Sequence, residues 1–160
     1  MKVIRVILHD IRSAHNVGSM FRTADAAGVS HIYLSGYTPA PLDRFKRSRK
    51  DISKVALGAE KTIPWTAIDG VDGKLLKLLT ELKKQGFTIV AVEQSAKSVD
   101  YKEVVLPNKT VILMGNEVDG ILPEILKQCD IVAEIPMQGQ KESLNVSVAF
   151  GIALFRMLGI

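Results

Sequence analysis

An arginine stands on the wrong side of an apolar helix in the run HNVGSMFRTADAAG, His15 to Gly28. At about 100° per residue, Val17, Met20, Phe21, Ala24 and Ala27 share one apolar arc, while Gly18, Arg22 and Asp25 lie opposite. Helical side chains lean toward the N-terminus, so Arg22 is expected to lie back over Gly18, which offers no side chain to block it. Its guanidinium would then approach the open amides of the first turn. Asn16 suits the N-cap and Gly28 the terminator. A solvated arginine beside Asp25 satisfies the same pattern.

Three further stretches end apolar runs in residues that could do chemistry. VILMGNEVDGI carries Gly115, Asn116, Glu117 and Gly120, where glycines permit close approach of a ligand and Glu117 supplies a carboxylate; a tight turn uses the same residue types. AEIPMQGQKESLNVS leaves an apolar run through Ile135, Pro136 and Met137, with Ser143 as the expected cap of a helix whose head also bears Asn145 and Ser147. VEQSAKS places Gln94 and Ser95 after a third run, as another wall of the same pocket.

The elements that position these loops follow from periodicity. VIRVILH, HIYLSG, FTIVAVE, TVILMG and DIVAEI read as strands, and the opening run, DISKVALGAE, GKLLKLLTELKKQG, LPEILKQC and SLNVSVAFGIALFRMLG read as helices, with TIPW as a connection. Their alternation predicts an α/β fold, a mainly parallel sheet flanked by helices, in a single domain over residues 1–160. In such sheets ligands sit beyond the carboxyl ends of the strands. The last helix is apolar on nearly every side up to Arg156, which predicts burial against a second copy of the chain, a homodimer.

The chain has 160 residues, 47% hydrophobic and 24% charged, with one cysteine and three histidines. No disulfide within the chain is possible, no metal site is expected from the spacing of His9, His15 and His31, and no run is long enough to span a membrane. The chain reads as cytoplasmic. Its net charge of +4 is lopsided: Arg44 to Lys54 holds six Lys or Arg against one Asp, so that segment carries +5 and the remainder sums to −1. Arg44, Lys46, Arg47, Arg49 and Lys50, interleaved with Phe45, form a candidate phosphate-backbone surface for nucleic acid; a solvated charged loop satisfies the same pattern.

In this order and spacing, NVGSMFRTADAAG, MGNEVDGI and IPMQGQKESLNVSVAFGIALF resemble the three motifs of the SpoU/TrmH family, within the SPOUT superfamily of RNA methyltransferases. The resemblance covers essentially the whole chain, KVALGAE and IPW included. It implies a C-terminal trefoil knot, which runs against the general avoidance of threaded chains. It also implies a homodimer, S-adenosylmethionine as cofactor, and methyl transfer to a ribose 2′-hydroxyl of RNA. By position, Asn16, Arg22, Glu117, Ser143 and Asn145 match the family's catalytic-site residues. Gly115, Ile135 and Leu144 match cofactor-holding positions; Gln94, Ser95, Asn116, Gly120 and Met137 extend that set. Many relatives carry an added RNA-binding domain, and none is read here.

Such a transfer needs the hydroxyl aligned and its growing negative charge stabilised. Arg22 beside the helix head suits that task and phosphate positioning, since a guanidinium has no lone pair to act as a base. Glu117 is expected to orient Asn16 or Arg22, and the proton to leave to water, a substrate phosphate or Glu117. Transfer RNA is the first expectation for the substrate; ribosomal RNA and a catalytically inactive RNA-binding protein are the alternatives. A phosphate-binding domain of flavodoxin type would need a glycine-rich loop after the first strand, and HDIRSAHN is not one.

Overall fold

The computed structural model describes every residue except Met1 and Val71, and its apolar runs pair side by side as buried strands. In chain order these are β1 (Val3–His9), α1 (Ala14–Ala26), β2 (His31–Ser35), α2 (Lys50–Ala56), α3 (Ala59–Thr62), β3 (Trp65–Ile68), α4 (Asp72–Lys84), β4 (Thr88–Val92) and β5 (Val99–Asp100). A single 3-10 turn (Tyr101–Glu103) precedes β6 (Lys109–Met114), α5 (Pro123–Leu126), β7 (Ile131–Glu134) and α6 (Val146–Leu158). The seven strands lie in the order β3-β2-β1-β6-β4-β7-β5, and every pairing is parallel.

Strand alternation divides the core into two layers. Ile4, Val6 and Leu8 of β1 and Ile112 and Met114 of β6 pack with Val17, Met20 and Phe21 of α1, Ile52 of α2, and Phe150 and Leu154 of α6. Ile7, Val111 and Leu113 point the other way, onto Leu75, Leu79 and Leu82 of α4 and Ile125 of α5. Covering both faces is what lets the inner strands be apolar at nearly every position.

Gly18 has a different purpose from the one its spacing to Arg22 suggests. A Cβ there would lie 2.7 Å from the Ile52 carbonyl oxygen and 3.0 Å from the Val55 Cβ, so glycine lets α2 lie against α1. The clearing is filled by a helix, not by a guanidinium. An extra methyl at so tight a contact typically costs about 1–3 kcal/mol.

Both helix heads start away from their expected caps. Ser13, not Asn16, caps α1, its hydroxyl accepting from the Asn16 amide at 3.1 Å. Asn145, not Ser143, caps α6, its side-chain oxygen accepting from the Ser147 amide at 2.9 Å. Gly28 does end α1, with φ 73° and the Val29 amide returning to the Ala24 carbonyl. The segment 51–60 breaks into two helices where Leu57 and Gly58 turn left-handed, at φ 53° and 98°. TIPW runs directly into edge strand β3. Within the chain α6 is covered on one side only: Val148 and Ile152 remain 49% and 39% exposed.

Candidate functional site

The three strand-end loops close around one cleft of about 340 Å³ beyond β4, β6 and β7. Gln94, Gly115, Asn116, Gly120, Ile135, Met137 and Leu144 line it, as do Glu117 and Ser143. Ser95 does not line it: its hydroxyl accepts from the Lys97 amide and its carbonyl from the Ser98 hydroxyl, closing a local turn. Gly115 belongs on the cleft floor because a Cβ would meet the Gly120 backbone at 2.9 Å and strike the Ile121 side chain. Glu93, not among the residues the sequence singles out, has a carboxylate that accepts from the Gln94 and Ile121 amides at 2.8 and 2.9 Å and so ties the end of β4 to the loop after β6. Its signal is an acidic residue closing the apolar run FTIVAVE, the same kind of signal that marked Glu117. Gln94 in turn donates to the Glu142 carbonyl at 2.8 Å, joining the loop after β4 to the loop before α6.

Asn116 is fully committed to the loop it begins. Its side-chain oxygen accepts from the Val118 and Asp119 amides, both at 2.8 Å, while its amide donates to the Asp10 carbonyl at 2.9 Å and to the Tyr37 hydroxyl at 2.6 Å. That leaves its neighbour Glu117 directed at the head of α1. One carboxylate oxygen accepts from the Arg12 amide at 3.0 Å, the other from the Ser13 amide at 3.2 Å and the Asn16 side-chain amide at 3.1 Å. The Asn16 oxygen then accepts from the Asn145 amide at 3.2 Å, so Glu117, Asn16 and Asn145 form one chain across three loops.

Burial alone would raise the Glu117 pKa, but these donors outweigh it and hold the carboxyl below its usual range. A carboxylate so engaged is a poor proton acceptor at neutral pH. Of the two partners expected for it, the structure supplies Asn16 and not Arg22. Arg22 is exposed, lies outside the cleft lining, and makes no hydrogen bond or ion pair among the described residues. The expected approach to the first-turn amides is absent, because α2 occupies the space over Gly18.

The basic segment between β2 and α2 is a folded tip. Asp43 accepts from the Phe45 and Arg47 amides and pairs with the Arg47 guanidinium at 2.8 Å, while Arg49 pairs with Asp51 at 2.6 Å. Phe45 is 61% exposed between the guanidinium groups of Arg44 and Arg47, 4.7 and 4.9 Å from its ring centre. Arg44, Lys46 and Lys50 make no ion pair among the described residues. No cluster of His, Cys, Asp or Glu that could hold a metal is found among the described residues, and no helix there is long and apolar enough to cross a membrane.

Among its described lining residues the cleft contains Glu93, Glu117, Glu134 and Glu142 and no Lys, Arg or His. Fold and site together define an open parallel α/β domain whose acidic strand-end cleft suits a small cationic ligand. Residues 3–155 match the SpoU rRNA methylase family, and the chain belongs to that family. A tRNA (guanosine(18)-2′-O)-methyltransferase from Aquifex aeolicus is 38% identical over 154 residues, covering 96% of this chain and 68% of that protein. A 23S rRNA (guanosine-2′-O-)-methyltransferase, RlmB, from Neisseria meningitidis is 38% identical over 149 residues, 93% of this chain and 55% of that protein. The crystal structure of an AdoMet-bound rRNA methyltransferase from Sinorhizobium meliloti superposes with a TM-score of 0.81 at 31% identity, over 97% of this chain and 55% of that one. The chain therefore spans little more than half the length of several proteins it matches.

Proposed function

We propose that this chain is an RNA (ribose-2′-O)-methyltransferase that uses S-adenosylmethionine and acts on transfer RNA in the cytoplasm, residues 1–160 serving as one methyltransferase domain in a homodimer. The acidic lining of the cleft carries the reading: it suits a sulfonium, whereas a phosphate-bearing ligand would find four acidic residues and no cation among the described lining residues. The name of the Aquifex relative supports the tRNA 2′-O-methyltransferase reading, and the AdoMet-bound Sinorhizobium rRNA methyltransferase supports the cofactor. Ribosomal RNA is the second reading, favoured by the Neisseria relative at the same identity. A trefoil knot at the C-terminus belongs to the same proposal, supported by β7 lying between β4 and β5 and by the Gln94 contact that holds the loop before α6.

Gln94, Gly115, Gly120, Ile135, Met137 and Leu144 would hold the cofactor, with Asn116 and Ser95 shaping their loops. When bound, S-adenosylmethionine supplies a methyl group already activated by the sulfonium. Glu117 fixes Asn16, Asn16 fixes Asn145, and together with Ser143 they form a polar wall against which a ribose hydroxyl is oriented. The hydroxyl proton passes to water or a substrate phosphate, because Glu117 is occupied by three donors. Arg22 stabilises the developing negative charge and positions a phosphate from across the dimer, each copy completing its partner's cleft. Support for that arrangement is the exposed apolar pair Val148 and Ile152 on α6, the helix on which α1 packs, with Thr23 lying beside Gly151. Arg44, Lys46, Arg47, Arg49 and Lys50 receive the RNA backbone, Arg47 and Arg49 being held by Asp43 and Asp51.

Titration calorimetry with S-adenosylhomocysteine, paired with mass-spectrometric mapping of ribose methylation in RNA from cells with and without the protein, tests the proposal. Saturable binding and loss of one 2′-O-methyl nucleotide from tRNA are expected. Loss of the mark from 23S rRNA instead selects the second reading, and binding with no lost mark selects an inactive RNA-binding protein. No binding overturns the assignment.

A further inference from the structure

Tyr37 stands in the loop after β2 with its side chain 57% exposed, one hydrogen bond from the cleft. Exposed tyrosines are ordinary, but this one is held at both ends. Its backbone amide donates to the Asp10 carboxylate at 3.1 Å, and its hydroxyl accepts at 2.6 Å from Asn116, the residue before Glu117. Asn116 is itself fixed to the main chain of Asp10, Val118 and Asp119. The ring is thus immobilised while its face stays open, so a flat partner could settle on it with little further loss of side-chain freedom.

The charges around the ring narrow the choice of partner. Asp10, Glu117 and Asp119 lie near the hydroxyl against Arg12, and partial desolvation together with Asp10 raises the phenol pKa above its ordinary range. A phosphate would be repelled there, whereas a nucleobase presents an uncharged π face. Cations for the backbone lie further along the same β2–α2 segment, at Arg44, Lys46 and Lys50. We infer that Tyr37 is a stacking platform for the base attached to the ribose presented to the cleft, setting the height and tilt of that ribose. The inference rests on the RNA methyltransferase reading above. Because every base has a π face, such a platform positions the nucleotide without reading its hydrogen-bonding edge.

Tyr37→Phe and Tyr37→Leu separate the ring from its hydroxyl. Methyl transfer is measured on total RNA from cells lacking the protein, with S-adenosylhomocysteine affinity measured in parallel by calorimetry. Tyr37→Leu is expected to raise the KM for RNA on the order of tenfold at unchanged S-adenosylhomocysteine affinity, and Tyr37→Phe to hold KM within about threefold of wild type. An equal rise in both variants would assign the effect to the Asn116 hydrogen bond and overturn the inference. It is also overturned if Tyr37→Leu leaves KM unchanged, lowers S-adenosylhomocysteine affinity, or shifts the protein toward monomer in sedimentation. Failure of the wild-type protein to methylate that RNA would overturn the methyltransferase reading itself.

Discussion

Asn16 and Arg22 stand less than two turns apart on α1, yet their surroundings have nothing in common. Asn16 is 7% exposed, donates to Glu117 and accepts from Asn145, so the loop after β6 and the head of α6 converge on it. Arg22 is exposed and without a hydrogen-bonding partner among the described residues, although it is the single cation of its helix that both spacing and family resemblance mark for chemistry. The head of the helix is completed by its own chain. Its middle is not, and the bare α6 stripe beside it is where a second copy would complete it.

The contrast predicts two different kinds of failure. On the proposed reading Arg22→Ala should lower kcat by about 10²-fold or more while leaving the urea midpoint unmoved, since Arg22 makes no hydrogen bond or ion pair among the described residues. Arg22→Lys should fall between the two, because an ammonium cannot form the planar two-point contact with a phosphate. Near-normal turnover by Arg22→Lys at unchanged RNA affinity would remove the bidentate geometry from consideration. Asn16→Ala should lose comparable activity and also about 1–3 kcal/mol of stability, because Glu117 and Asn145 are left short of partners in a mostly buried network.

The smallest expected effect concerns acid. Glu117 has a depressed folded-state pKa, so its contribution to stability is present above the ordinary carboxylate pKa of about 4.3 and is lost as pH falls through the lower folded value. Urea unfolding of wild type and Glu117→Gln should therefore differ at pH 7, and the gap should narrow at a pH below about 4.3. A gap that stays constant between the two pH values would show that the hydrogen-bonded carboxylate form is not what Glu117 contributes.

Much of this arrangement is legible in local pattern. The inner strands follow from short apolar runs, α4 from a period of 3.6 residues and the Gly115 to Gly120 loop from turn residues closing an apolar run, signals that depend only on near neighbours. Helix starts are less legible where good caps crowd together. Ser13 and Asn16 compete at one head, Ser143 and Asn145 at the other, and the choice is made by distant partners: the Asn16 side chain is taken up by Glu117, leaving Ser13 to cap. Gly18 misleads for the same reason, since α2, which fills its clearing, arrives from a different part of the chain. Short edge strands escape too: β3 and β5 are four and two residues long, too brief for alternation to register.

Mixing subunits gives the most direct test of where Arg22 acts. Arg22→Ala keeps an intact cleft but lacks the arginine, and Asn145→Ala keeps the arginine but has a damaged cleft. Each alone should be nearly inactive. Unfolded together and refolded, random pairing makes half the dimers mixed and restores one cleft in each, so about a quarter of wild-type turnover is predicted. Turnover no greater than the average of the two inactive parents would contradict an arginine working in its partner's cleft.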